Sequence, residues 1–277
     1  MQEIELSAGI IEYEDTGGSG PIVVLLHGLL MDGSLWRHVV RELRTDYRCI
    51  VPTLPLGGHR QPMRADADLS PRGIGQLEAE FLGRLDLHNV TLVGNESGLF
   101  QIAAGEHPER IARLVLTPCE AFENFPPGLP GRTLAFAAML PGGLNALTQP
   151  LRLRVLRRLP LALGWMAKRP IPPAVTDSWF RPVLTQREIR RDFTKYLRSS
   201  NKRDMLVAAE RLRSFDRPAL VIWAKEDRVM PPEHGRRLAE ILPNGRLIEI
   251  ADSYTLIPED QPGELACAIR QFVRDTP

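Results

Sequence analysis

The sequence has few cysteines, almost no net charge and no long apolar run. Its three cysteines, Cys49, Cys119 and Cys267, are odd in number and far apart, which argues against a disulfide framework and against a zinc site. Residues 1–6 are acidic where a signal peptide is basic, and no segment is long and apolar enough to span a bilayer. We therefore expect a cytoplasmic protein with no membrane partner.

The charge balance narrows the choice of partner further. Lys and Arg number 35 against 34 Asp and Glu, a formal net charge of +1. A chain-wide electrostatic attraction to nucleic acid or to an anionic membrane is therefore not expected. No motif indicates a cofactor or a metal, so we expect neither. A small-molecule substrate is the expected partner, and the sequence leaves the oligomeric state open.

The apolar pattern predicts an α/β fold with a mostly parallel central sheet. With 277 residues, 43% of them hydrophobic, the chain can bury a large core. Apolar runs typical of buried strands alternate with helix-like segments, as in βαβ units. The predicted strands are residues 22–26, 49–51, 90–93, 114–116, 219–223 and 247–250. Helices are predicted over 34–43, 70–85, 99–106 and 262–274, with Ser34 and Ser70 as caps.

Residues 120–213 interrupt this alternation. They contain helical stretches broken by proline and glycine, and no clear strand pattern. We expect residues 1–119 and 214–277 to form one core and 120–213 to form a helical lid. Such an insertion would lie over the carboxyl ends of the strands, where open α/β sheets bind ligands.

Three short segments follow predicted strands and carry a resemblance. They are Leu26-His27-Gly28, the turn from Gly94 to Gly98 with the sequence GNESG, and the segment 223–227 with the sequence WAKED. In this order and spacing they resemble the α/β-hydrolase superfamily, and the likeness covers nearly the whole chain outside the insertion. The resemblance implies the α/β-hydrolase fold and a nucleophile elbow at residues 94–98.

The centre of the elbow is Glu96, where the family turn G-x-S-x-G has its serine. Branches of the superfamily with aspartate here attack carbon with the carboxylate. By the resemblance, the backbone N–H groups of Leu29 and Ser97 form the oxyanion hole, and His27 shapes the loop. We expect Glu96 to be functional, because an unpaired charge at this position is costly.

The rest of the implied triad is incomplete. Asp227 matches the acidic residue that orients the catalytic histidine, but residues 252–262 contain no histidine, and Tyr254 or Thr255 occupies its position. His59, on a glycine-rich loop after a strand, is the best substitute base, although a loop histidine satisfied by backbone hydrogen bonds is the commoner case.

The insertion offers candidates for substrate binding. Phe122, Phe125 and Trp165 are expected to line an apolar pocket, and the alternative is that they form the core of the lid. Phe136, Met139, Met166 and Trp179 are open to the same two interpretations. Many arginines, among them Arg152, Arg154 and Arg158, indicate either an acidic substrate or carrier protein, or solvated helix faces, which is the commoner role.

These features favour an α/β-hydrolase-fold enzyme that acts on a small, largely apolar organic substrate, with a carboxylate in place of the nucleophilic serine. Hydrolysis is the most frequent reaction of the superfamily. Acid–base chemistry without hydrolysis, as in a lyase, isomerase or cyclase of secondary metabolism, fits the residues equally well. A third possibility is a ligand-binding protein without turnover.

Overall fold

A single sheet of eight strands organises the chain in the computed structural model, which describes residues 1–276. The strands are β1 (Gln2–Leu6), β2 (Gly9–Asp15), β3 (Ile22–Leu26), β4 (Arg48–Pro52), β5 (Val90–Glu96), β6 (Ile111–Cys119), β7 (Ala219–Ala224) and β8 (Gly245–Ile250). They lie in the order β1-β2-β4-β3-β5-β6-β7-β8. The strands from β3 to β8 are mutually parallel, and β1 and β2 are antiparallel additions at one edge.

Eleven helices complete the described part of the fold. They are α1 (Arg37–Leu43), α2 (Pro71–Arg84), α3 (Phe100–Glu106), α4 (Gly128–Met139), α5 (Gly143–Thr148), α6 (Pro173–Thr185), α7 (Arg187–Ser199), α8 (Lys202–Leu212), α9 (Pro232–Ile241), α10 (Ile257–Asp260) and α11 (Pro262–Asp275). No helix within residues 1–276 combines the length and the apolar character needed to cross a membrane.

The predicted α/β architecture is confirmed, and all six predicted strands are present. Ser70 caps α2 by accepting a hydrogen bond from the Gly73 N–H, as expected. Ser34 is not a cap, because Asp32 accepts the hydrogen bond from the Ser34 N–H and a short turn precedes α1. The hairpin of β1 and β2 escaped the sequence pattern because its strands are polar and partly exposed.

The segment between β6 and β7, which includes the predicted insertion, contains only helices and short helical turns. Helix α8 packs against α3 on the sheet side, whereas α4 and α5 pack on each other and on α7. Trp179 of α6 is fully buried, and its indole N–H donates to the Ser34 hydroxyl. The insertion is therefore joined to the core through buried contacts.

Parallel strands bring their carboxyl ends to one edge of the sheet. The loop after β3 carries Leu29, the end of β5 carries Glu96, and Asp227 follows β7. Residues that lie far apart in sequence thus meet above the sheet, beneath the inserted helices.

Candidate functional site

The turn between β5 and α3 has the strained geometry of an elbow. Glu96 has φ 69°, a left-handed conformation that costs energy for any residue with a side chain. Gly94 and Gly98 allow the turn to pack closely, since a Cβ on Gly94 would lie 2.1 Å from the Phe100 ring and one on Gly98 would lie 2.2 Å from the Glu120 carbonyl oxygen. The strain therefore fixes the direction of the Glu96 side chain.

The Glu96 carboxyl lies against the loop that follows β3. Its Oε2 accepts a hydrogen bond of 2.5 Å from the Leu29 N–H. A Cβ on Gly28 would lie 1.8 Å from the same oxygen, so only glycine leaves room for the carboxyl there. Glu96 is 5% exposed, and burial raises its pKa to about 8, although the Leu29 N–H opposes this shift. At neutral pH the group is mostly the uncharged acid.

Ser97 does not complete a pair of donors on this carboxyl. Its N–H donates to the Asn95 carbonyl oxygen at 2.9 Å, and its hydroxyl accepts from the Leu99 N–H at 3.3 Å. Of the two donors expected to form the oxyanion hole, only the Leu29 N–H contacts the Glu96 carboxyl. The Ser97 N–H donates to a carbonyl oxygen within the turn instead.

Asp227 and Thr255, two residues of the triad that the resemblance implies, are joined by a hydrogen bond. The Asp227 Oδ1 accepts hydrogen bonds of 2.8 Å from the Thr255 hydroxyl and from the N–H groups of Val229 and Met230. Its Oδ2 is buried without a partner among residues 1–276. Burial raises the pKa of Asp227 to about 7. Thr255 therefore takes the place that the resemblance gives to histidine.

Tyr254 lies elsewhere. Its ring is contacted by the Lys168 ammonium, 5.3 Å from the ring centroid, and by the Arg228 guanidinium at 4.6 Å. These are cation–π contacts outside the cavity. Of the two residues predicted for the histidine position, only Thr255 contacts Asp227.

His27 and His59 are both buried and both held by backbone groups. The His27 Nε2 accepts from the Leu54 N–H, and its Nδ1 donates to the Gly28 carbonyl oxygen, both at 2.8 Å. Burial lowers the pKa of His27 to about 4, so the neutral ring shapes the loop. The geometry fits the structural role that the resemblance implies.

His59 does not face Glu96, so the expectation that it substitutes for the missing base does not fit its position. Its Nδ1 accepts from the Gly57 N–H at 3.3 Å, and its Nε2 lies 3.5 Å from Oδ2 of Asp192 in α7. Burial lowers the pKa of His59. The glycine-rich loop turns the ring towards the inserted helices instead of the cavity.

A cavity of about 250 Å³ lies above Glu96, between the sheet edge and the inserted helices. Its walls are mainly apolar, with Leu29, Leu134, Leu151, Met166 and Phe180 among them. Glu96 is the one ionisable side chain among the described residues that line it. An uncharged acid therefore faces a space suited to an apolar ligand.

The predicted pocket residues Phe122, Phe125 and Trp165 do not line this cavity. The Phe122 ring packs edge-on against His234 and lies 3.8 Å from the Arg237 guanidinium. Phe125 is core, and Trp165 packs against the core from outside. Of the apolar candidates in the insertion, Met166 lines the cavity, and Phe180, which was not among them, lines it as well. Spacing along the chain does not show which apolar residues face inwards.

Two site residues were missed by the sequence reasoning. Glu120 is fully buried, and its Oε2 accepts from the Gly98 N–H at 3.2 Å. Burial and the nearby Glu96 raise its pKa well above the usual value. Asn95 donates from its amide to the Thr117 hydroxyl and to the Thr255 carbonyl oxygen. The available signal was a polar residue at or directly after the carboxyl end of a buried strand.

Comparison with known proteins supports the fold. A model of the alpha/beta hydrolase family matches residues 23–268. A cis-3-alkyl-4-alkyloxetan-2-one decarboxylase from Xanthomonas campestris pv. campestris is 30% identical over 300 residues, covering 100% of this chain and 96% of that protein. An uncharacterized hydrolase, YugF, from Bacillus subtilis is 26% identical, covering 91% and 89%. The crystal structure of an alpha/beta hydrolase fold protein from Burkholderia ambifaria is 23% identical, with a TM-score of 0.79 over 98% and 97% of the two chains.

Proposed function

The chain belongs to the alpha/beta hydrolase family, and from this premise we propose that it is an enzyme in which the Glu96 carboxyl performs acid–base chemistry on a small, largely apolar organic compound. One observation carries the proposal. A buried carboxyl with its pKa raised to about 8 is the ionisable group that faces an apolar cavity. Perturbed acids in such positions are typical of catalytic sites.

The proposed chemistry is a proton transfer that returns Glu96 to its starting state. The uncharged acid gives its proton to a heteroatom of the bound compound, and the Leu29 N–H stabilises the carboxylate that forms. That carboxylate then takes a proton from a carbon of the same compound. An isomerisation, an elimination or a ring closure or opening can proceed in this way without water, oxidant or reductant.

The site gives less support to a covalent ester on Glu96. Cleaving such an ester requires a base that activates water. Asp227 has Thr255 as its partner, and a threonine hydroxyl does not accept a proton near neutral pH. His59 is held by Asp192 and Gly57. The proposal therefore assigns Glu96 to acid–base work.

The decarboxylase relative supports the substrate class. Its name describes a four-membered lactone with two alkyl substituents, a compact ring with apolar arms. A cavity of about 250 Å³ with Leu and Phe walls suits a compound of that character. Dialkyl β-lactones are accordingly the first compounds to test.

Hydrolysis is the second candidate, favoured by the relatives that are named hydrolases. In that case an ionised Glu96 would activate a water molecule directly. The two candidates differ in the product, because only hydrolysis incorporates oxygen from labelled water. They also differ in pH dependence: the acid mechanism loses rate as pH rises through about 8, whereas a base mechanism gains rate there.

The decisive experiment compares Glu96→Gln with Glu78→Gln on a panel of small β-lactones, epoxides, esters and haloalkanes. Glu78 is a matched control, since it is also a buried carboxyl with a raised pKa but lies in α2 and does not line the cavity. We expect Glu96→Gln to lose at least about a hundredfold in kcat/KM and Glu78→Gln to keep wild-type activity. Full activity in Glu96→Gln, or ligand binding without turnover across the panel, would refute the proposal.

A further inference from the structure

The outer surface of the inserted segment is apolar and basic at the same time. Residues 124–176 contain seven Lys and Arg and no Asp or Glu. Of the fourteen large apolar side chains exposed in the described chain, eight lie in this segment. The most exposed are Val155 (72%), Phe136 (67%), Leu153 (61%) and Leu129 (57%). Grouped apolar residues of this size on a surface usually mark an interaction site.

Two of the eight exposed apolar residues also line the cavity. Leu159 and Leu161 both line the cavity and are about half exposed, at 51% and 52%. The turn that contains Leu161 packs against α4, which carries Leu129 and Phe136. The exposed apolar surface is therefore continuous with the apolar wall of the cavity.

The positive charge of this surface is only partly neutralised. Arg132 and Arg158 have no carboxylate partner among residues 1–276, and Arg152 bonds to a glutamine side chain and a carbonyl oxygen. The other four basic side chains are paired with carboxylates: Arg154 and the buried Arg157 with Asp177, and Lys168 and Arg169 with Asp252. A second groove of about 470 Å³ shares Leu163 with the cavity and is lined by Arg158. The surface thus offers basic groups beside exposed leucines.

We propose that this surface docks on an anionic lipid bilayer. Apolar side chains around Leu153 and Val155 would enter the headgroup and acyl boundary, while Arg132 and Arg158 contact lipid phosphates. An apolar compound dissolved in the bilayer would then reach the cavity between Leu159 and Leu161 without crossing water. This inference concerns the delivery of substrate and does not depend on the chemistry at Glu96.

The charge pattern favours lipid over a second copy of the chain. A symmetric dimer through this face would bring the same basic residues together, and like charges would oppose it. The composition-based expectation of no membrane partner used the chain-wide charge of +1. That average conceals a segment in which all charged side chains have one sign.

The test is co-sedimentation of the whole protein with vesicles of phosphatidylcholine alone or mixed with phosphatidylglycerol. We expect binding to the anionic vesicles that weakens with added salt, and little binding to phosphatidylcholine alone. The variants Leu153→Asn with Val155→Asn, and Arg132→Gln with Arg158→Gln, should each lower the partition coefficient about tenfold or more. All four positions are exposed, so these changes should leave the fold intact.

Two control variants match these changes elsewhere on the surface. Leu206→Asn with Val207→Asn removes apolar groups from α8 that are 40% and 42% exposed, and Arg203→Gln with Arg246→Gln removes the same amount of charge. Both should bind like the wild type. The proposal fails if the wild type does not bind anionic vesicles at low salt, or if controls and test variants lose binding equally. It also fails if light scattering shows self-association through Leu153 and Val155 in place of vesicle binding.

Discussion

Replacing Glu96 with glutamine should reduce the loss of stability that the wild type shows as pH rises. The amide has nearly the shape of the uncharged acid and can still accept the Leu29 N–H, but it does not ionise. In the wild type the pKa is about 8 in the folded state and 4.5 in the unfolded chain. Between these values the folded state binds more protons, so the wild-type free energy of unfolding falls as pH rises.

The size of the effect follows from the two pKa values. With those values, this carboxyl lowers wild-type stability by about 3 kcal/mol between about pH 5 and about pH 8. The other buried carboxyls contribute to both proteins, so the difference between Glu96→Gln and the wild type isolates Glu96. Urea unfolding followed by circular dichroism at the two pH values measures this difference in the free energy of unfolding. The difference for Glu78→Gln should change with pH in the same direction, because Glu78 is also buried with a raised pKa. The reasoning is refuted if the difference in free energy of unfolding from the wild type changes with pH for Glu78→Gln but stays constant for Glu96→Gln. That result would mean that Glu96 is ionised in the folded protein.

Three further predictions concern the surroundings of Glu96. Gly28→Ala places a Cβ 1.8 Å from the Glu96 Oε2, so it should displace the carboxyl from the Leu29 N–H and lower kcat about tenfold or more. Gly263→Ala is the control, because a Cβ there meets open space. Equal activity in the two variants would contradict this packing. Thr255→Val removes the hydroxyl that donates to Asp227 and should cost about 1–2 kcal/mol in urea unfolding, whereas an unchanged free energy of unfolding would mean that the hydrogen bond contributes nothing. Mass spectrometry of enzyme quenched during a single turnover should find no substrate adduct on the peptide that contains Glu96, and a stoichiometric adduct would establish covalent catalysis.

The fold was largely predictable because the buried strands of a parallel sheet have a recognisable apolar pattern in the sequence. Strands such as β3 and β7 are covered on both faces, so their apolar runs are continuous. The polar edge strands β1 and β2 lack that apolar pattern, so the sequence did not predict them. The apolar periodicity begins at Ser34 and so predicts a cap there, although Asp32 two positions earlier supplies the acceptor.

The site was predictable only where the sheet dictates it. Glu96 and Asp227 follow parallel strands, so their convergence on one edge follows from topology. The residues of the insertion depend on how its helices rotate and pack, which spacing does not determine. Phe122 therefore faces His234 and Arg237, and His59 is turned towards Asp192 of α7. No motif marks Glu120, although it is a charged residue directly after the buried strand β6.

The most direct test of the central claim is a carbon-13 NMR titration of the protein labelled at the glutamate side-chain carboxyls. The resonance missing from Glu96→Gln identifies Glu96 among the other buried carboxyls. We predict that this resonance titrates at a pH near 8 in the wild type, so that the group is an uncharged acid at neutral pH. Titration near the ordinary value of 4.5 would show a carboxylate at the cavity and contradict the account.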